Sequence, residues 1–198
     1  MAKQVIISIG REFGSQGHEI ADKVAEYLGI PLYDRNLLEQ ATKEKGLDSQ
    51  LYEKFDEKPR NIFLSRSVGE HTNSMEKHIA DMQFEFIKKK ADAGESFVVV
   101  GRCANSVLSS NPALISVFIL ADRESKVKHV QERYHLSRSE ALAKMNRHDK
   151  SRKAYHNRYS KYKWGDSRGY TICMNSTKLG IEGTAKAIQD YVEQYKKM

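Results

Sequence analysis

The sequence predicts an α/β domain built on a parallel sheet with helices on both faces. Three observations predict it. Short apolar runs rich in β-branched residues recur at Val5 to Ile9, Phe97 to Val100 and Ile115 to Leu120; stretches with helical periodicity separate them; and glycines stand at the junctions. Strands that read as unbroken apolar runs are buried on both faces, which calls for helical layers above and below a parallel sheet. Such sheets bind ligands in the crevice at the carboxyl ends of their strands.

Taken in order, VIISI is a strand entering Gly10, and after a glycine-rich stretch the apolar positions become Ile20, Val24 and Leu28, the spacing of a helix. Gly29 terminates that helix, and Ile30 to Tyr33 is a second short strand ending at Asp34, so a β-loop-α-β unit opens the chain. A second helical pattern runs from about Asn36. The polar segment 48–73 lacks clear periodicity and is expected to be an insertion or a mobile arm. Ser74 to Ala93 forms a helix with Ile79, Met82, Phe86 and Ile87 as its buried stripe, closed by Gly94. The strands at 97–100 and 115–120 follow, the second leading into a basic helix from Arg123 to about Tyr134. Ser137 and Glu140 have the spacing of a capping box and start a second basic helix that runs past Arg152. Tyr170 to Met174 is the last strand, and Ala185, Ile188, Val192 and Tyr195 mark one face of a C-terminal helix.

A length of 198 residues fits one domain. With 39% apolar and 30% charged residues and only three prolines, the chain is too apolar to be disordered. No apolar run approaches the roughly 20 residues needed to cross a bilayer, and MAKQVIISIG lacks the long apolar stretch of a signal peptide, so a cytoplasmic location is expected. Cys103 and Cys173 lie far apart and outside any CxxC or Cys/His cluster, which points to reduced thiols and to no zinc site. The formal charge of +7, with its excess between Arg123 and Arg168, points to anionic partners; a solvated basic helical face is the plainer alternative.

The motif that carries chemistry is Gly10-Arg-Glu-Phe-Gly14-Ser-Gln-Gly17-His-Glu, placed after a strand and before a helix. A phosphate is held by several backbone N–H groups at a helix N-terminus, and glycines let the chain turn and approach it closely. A tight strand-to-helix turn without a ligand is the alternative. The match to GxxxxGK[ST] is imperfect, because the lysine that reaches the phosphates and the hydroxyl that binds magnesium are both missing, with Gly17 in the lysine's place. Arg11, His18 and Lys23 are the nearby substitutes. Arg11 is the preferred one, since it is always protonated; its alternative is a structural pairing with Glu12 or Glu19. Val98-Val-Val-Gly-Arg102 delivers an arginine at a strand's carboxyl end, where its fork can grip a phosphate or pair with a structural acid. Arg147 and Arg152, about 140° apart on a helix, can reach two neighbouring anions.

Two other readings compete. Gly10-x3-Gly14-x2-Gly17 with Asp34 after a second strand has the layout of a dinucleotide fold, and Tyr159-x3-Lys163 matches the Tyr/Lys pair of NAD(P)-dependent short-chain dehydrogenases. Basic residues interleaved with Tyr155, Tyr159, Tyr162 and Trp164 suggest an RNA-binding module, because aromatic faces stack bases.

Together, GREFGSQGHEIA, PLYDR, VVVGR, NRHDKSR and LGIEGTAKAI resemble the cytidylate kinase-like family of P-loop proteins, relatives of the nucleoside monophosphate kinases, over nearly the whole chain. The resemblance implies a P-loop NTPase-like three-layer sandwich with a parallel five-stranded sheet and a helical lid, here the basic region 134–168. It implies ATP, with Mg²⁺, as phosphoryl donor and a nucleoside monophosphate such as CMP or dCMP as acceptor. By position, Gly10, Gly14, Ser15, Gln16, Gly17 and His18 hold the donor phosphates, and Asn175 and Ser176 lie near the donor's base. Asp34 and Arg35 face the acceptor and Arg102 its phosphate. Arg147 and Arg152 close from the lid, and Asp149 orients them or the base. The sequence departs from cytidylate kinases in the missing loop lysine and hydroxyl, in Val100 where an acid precedes Gly-Arg, and in His18 where relatives often carry arginine. Losing a fixed cation beside the transferred group removes rate before it removes binding, so a non-catalytic nucleotide sensor or docking domain is the second functional reading.

Overall fold

Five strands, β1 (Ile6–Arg11), β2 (Leu32–Tyr33), β3 (Phe97–Val100), β4 (Leu114–Leu120) and β5 (Ile172–Asn175), pair in parallel in the order β2-β3-β1-β4-β5. The structure, a computed structural model, describes residues 3–34, 36–46 and 70–198, with the side chains of the last segment described from Glu76 onward. Seven α-helices are present among these residues: α1 (Gly17–Leu28), α2 (Leu37–Glu44), α3 (Glu70–Asp92), α4 (Ala104–Val107), α5 (Arg123–Tyr134), α6 (Arg138–Tyr159) and α7 (Gly180–Lys197). None of these helices is long and apolar enough to cross a membrane.

The two-residue period of a strand sorts the core into two layers. Ile7, Ile9, Val98, Val100, Ile115, Val117 and Ile119 face α1 and α7 and pack on Ile20, Val24, Ile188 and Val192. Ile6, Phe97 and Val99 face the other way, onto Tyr33, Leu37, Phe86, Ile87 and Ala104. The result is the three-layer α/β fold with a parallel five-stranded sheet that the sequence predicts.

Boundaries agree closely and differ for physical reasons. α1 stops at Gly29, whose φ of 63° is the left-handed cap expected there. α6 starts with the predicted capping box: Glu140 N donates to Ser137 Oγ at 3.3 Å and Ser137 N donates to Glu140 Oε2 at 2.8 Å. The last strand begins at Ile172 and not at Tyr170, because Thr171 N donates to Ser116 Oγ and O, and Tyr170 instead packs on Phe118 with ring centroids 5.0 Å apart. Of segment 48–73, residues 48–69 lie outside the described residues, and 70–73 open α3.

The dinucleotide reading is excluded by strand order. In the dinucleotide fold β2 lies beside β1, so that its terminal acid reaches a ribose bound on the first loop. Here β3 lies between them, with Ile7 against Val98 on one side and Leu32 against Val98 on the other. Tyr159 is the last residue of α6 and Lys163 lies beyond it, so the two do not share a helical face.

Candidate phosphate-binding site

The glycine-rich segment is held from below. Ser15 is fully buried, and its hydroxyl donates to Glu12 O at 2.9 Å. Ser176, at the end of β5, donates to Ser15 O at 2.8 Å and to Leu120 O at 3.2 Å. Both hydroxyls therefore brace the loop. The free amides are those of the first turn of α1, where helix geometry leaves N–H groups without intrahelical acceptors and Gln16 supplies no side-chain cap. Gln16 has φ 60°, a left-handed conformation that costs a non-glycine residue about 1–2 kcal/mol. Gly14, with φ 86°, has a packing reason beside the expected ligand one: a Cβ there would lie 2.9 Å from Val130 Cγ2 and 3.0 Å from Lys126 O on α5.

Around this loop opens a crevice of about 860 Å³, lined by Gly10, Gly14, Gln16, Gly17 and His18, and by Arg11, Arg102, Arg147 and Arg152. Arg11, at the end of β1, lies over the start of α1 and reaches toward Gly101: Cβ atoms built on Gly17 and Gly101 would sit 2.5 Å from Arg11 Cβ and Nη1, respectively. Arg152 Nη1 donates to Arg11 O at 3.2 Å, and its guanidinium lies 5.4 Å from the Phe13 ring centroid. Arg102 sits in a run of three left-handed residues, Gly101, Arg102 and Cys103, with φ of 76°, 53° and 51°. Strain of this kind concentrates where a fold must present particular groups, and here it lies at the carboxyl end of β3. Arg147 is exposed on the rim.

The acids beside the loop have their own cations. Glu12 pairs with Lys126 at 2.7 Å, and Glu19 pairs with Arg133 and lies 3.9 Å from His129 Nε2. Asp149 accepts the Phe13 amide at 2.7 Å, which makes it a tie between loop and α6. Burial pushes its carboxyl above the usual range, against the Phe13 N–H and the charges of Arg152 and Lys126. Phe13 itself stacks on His148 at 4.3 Å and Tyr134 at 5.9 Å, and packs with Val127, Val130, Ala141 and Met145. The loop and the two basic helices are therefore one packed unit.

Not every predicted residue reaches the crevice. Asp34 does, with Oδ2 3.4 Å from His18 Nε2, so these two residues also contact each other. Asn175 donates to Asp122 Oδ1 at 2.7 Å outside the crevice lining, Ser176 is buried beneath the loop, and Arg35 lies outside the described residues. Tyr155 and Tyr159 line the crevice, half-buried, and pack on each other at 5.1 Å; Trp164 packs edge-on to Phe118 at 5.4 Å. Only Tyr162 of the four aromatics is exposed. Sequence reasoning missed a polar floor made by Asn105, His156 and Tyr170, in which His156 Nε2 lies 3.4 Å from both Asn105 Nδ2 and Tyr170 Oη. The signal was present as a stripe along α6, Ala141, Met145, Asp149, Arg152 and His156, which keeps helical spacing while it changes from apolar to polar.

A model of the cytidylate kinase-like family matches residues 6–178. The chain belongs to the cytidylate kinase-like family. Among solved structures it is similar to an uncharacterized protein from Eubacterium ventriosum ATCC 27560, with 41% identity and a TM-score of 0.77 over 96% of this chain and 99% of the other. Its fold is also shared by shikimate kinase from Bacteroides thetaiotaomicron (12% identity, TM-score 0.55, 96% and 98% of the two chains) and by TT1252 from Thermus thermophilus (18%, 0.56, 96% and 97%). No curated protein matches the sequence. Membership of a cytidylate kinase-like family supports a nucleotide-binding phosphotransferase of the kinase type, and the crevice lies at the carboxyl ends of β1 and β3, where open α/β sheets bind their ligands.

Proposed function

We propose that this protein transfers the γ-phosphoryl group of ATP to a nucleoside monophosphate, with CMP or dCMP as the acceptor its family suggests. The observation that carries the reading is the convergence of Arg11, Arg102 and Arg152 on one crevice with the first turn of α1. An oxygen of the acceptor phosphate attacks the γ-phosphorus. The bond from that phosphorus to the β–γ bridging oxygen breaks, and its electron pair leaves with ADP. The acceptor phosphate is already anionic, so no base is needed, and catalysis reduces to positioning and charge. Gly14 to His18 cradle the donor phosphates, Arg102 grips the acceptor phosphate, and Arg152 with Arg147 closes over the transferred group.

Mg²⁺ takes one or two carboxylates and fills its remaining positions with substrate phosphates and water. Among the described residues no cluster of three metal-binding side chains exists, but Glu12, Glu19 and Asp34 all bring carboxylates to the crevice, which suits an ion that arrives with the nucleotide. Bound there, the ion would neutralise phosphate charge.

The test is transfer from ATP to a panel of monophosphates by the parent and by Arg102→Lys. Lysine keeps the charge and loses the planar fork, so KM for the acceptor is expected to rise on the order of tenfold. The missing loop lysine favours one other reading, a nucleotide sensor without transfer. ATP binding by a parent that phosphorylates no monophosphate would put that reading in place of the kinase.

A further inference from the structure

In a P-loop, the residue at position 17 is the lysine that reaches the terminal phosphates. Here a lysine could not stand there beside Arg11. A Cβ built on Gly17 would lie 2.5 Å from Arg11 Cβ and 3.0 Å from its Cγ, closer than nonbonded carbons approach. Positions 11 and 17 therefore cannot both carry a side chain without backbone movement. Arg11 crosses this space and ends at Gly101, where a Cβ would lie 2.5 Å from Nη1. Gly17 is helical and has no positive φ to require glycine, so the Arg11 stem is the structural reason for a glycine there.

We propose that Arg11 is the cation for the terminal phosphate of the donor, and that it has exchanged places with the loop lysine: the charge enters from the end of β1 instead of from the first turn of α1. This rests on the phosphotransferase reading and adds the residue that carries its critical charge. Two features support it. Arg11 lines the crevice between the phosphate loop and Arg102. Its carbonyl is gripped by Arg152, so the lid arginine and the loop arginine are set relative to each other. A guanidinium is also charged at every working pH and can span two phosphate oxygens.

The experiment compares the parent with Arg11→Ala, Arg11→Gly, Gly17→Lys and the double variant Arg11→Gly/Gly17→Lys. Calorimetry gives the affinities for ATP and ADP, steady-state turnover gives transfer to CMP, and urea unfolding gives stability. Arg11→Ala is expected to lower kcat on the order of 100-fold, and to erase most of the preference for ATP over ADP. Gly17→Lys alone is expected to be less stable than the parent, and the double variant to regain that stability and at least tenfold in kcat over Arg11→Gly. Arg11→Ala with the parent's kcat and ATP preference would overturn the assignment. Equal stability of Gly17→Lys and the double variant, including failure of both to fold, would overturn the exchange. A parent that binds ATP but transfers nothing refutes the kinase reading while the ATP-to-ADP comparison still decides Arg11: lost preference in Arg11→Ala supports it, and retained preference overturns it. A parent that binds neither nucleotide overturns both.

Discussion

On the floor of the crevice, burial decides the protonation of His156. The side chain is 5% exposed, and burial holds its pKa below the ordinary imidazole value of 6.5. The folded state therefore binds this proton less readily than the unfolded chain. The stability this represents is fully present above pH 6.5 and is lost as pH falls through the lower, folded pKa. Urea unfolding between pH 7.5 and pH 5 should show a decline of up to about 1.4 kcal/mol per pH unit from this group. His156→Gln keeps a polar side chain without the titration, and its stability should vary less over the same interval; an unchanged pH slope would refute the account. Cys103 is a second residue set by its surroundings: burial pushes its thiol up to about 12, so it stays a neutral packing group beneath His156.

At the scale of elements, the informative feature is the seat of the loop on α5 and α6. Phe13 is 9% exposed, inserted among Val127, Val130, Ala141 and Met145, with its amide on Asp149. Phe13→Ala is expected to cost about 3 kcal/mol or more, in line with loss of a buried phenyl. It should also reduce hydrogen-exchange protection in the first half of α6 more than in β1 or β4. Equal loss everywhere would mean that the seat merely contributes to global stability and does not couple the loop to α6. The same seat constrains Gly14, whose missing Cβ admits α5. A valine at Gly14 would disturb loop packing together with ligand binding, so it is a poor probe of either alone.

For the whole molecule, the crevice and the net charge of +7 favour a polyanion small enough to enter. Nucleotide binding to the folded state alone must raise its stability, by about 2.7 kcal/mol at 100 times Kd. For a chain of this size that corresponds to roughly 5–10 °C in Tm. ATP is expected to give such a shift at 150 mM salt. Single-stranded RNA is expected to give a smaller one that vanishes with added salt, because Tyr155 and Tyr159 pack on each other and Trp164 on Phe118, all half-buried, and offer no continuous stacking platform. A larger shift with RNA than with ATP would reverse this assignment.

The amino-acid sequence by itself determined the order of the strands along the chain and several helix ends, because these depend on local patterns: unbroken apolar runs, 3.6-residue spacing, the Ser137 and Glu140 pair, and Gly29 at a helix end; it did not show that α3 starts at Glu70 instead of Ser74, or the short α4. It also determined the strand-turn-helix context of the glycine-rich segment and the arginines at positions 11, 102, 147 and 152, whose residue types suit anions wherever the chain brings them. The tertiary structure alone decided which of these meet. Strand order places β3 between β1 and β2, which separates Asp34 from a dinucleotide geometry. Ser15 and Ser176 read as ligand groups in the sequence, yet their hydroxyls turn inward to brace the loop. Asp149 and Phe13 are 136 positions apart and form one hydrogen bond. Gly17 looks like a lost lysine until the Arg11 stem is found in its space. Each of these depends on a contact between distant segments, and local sequence patterns carry no information about the partner until the sheet has assembled.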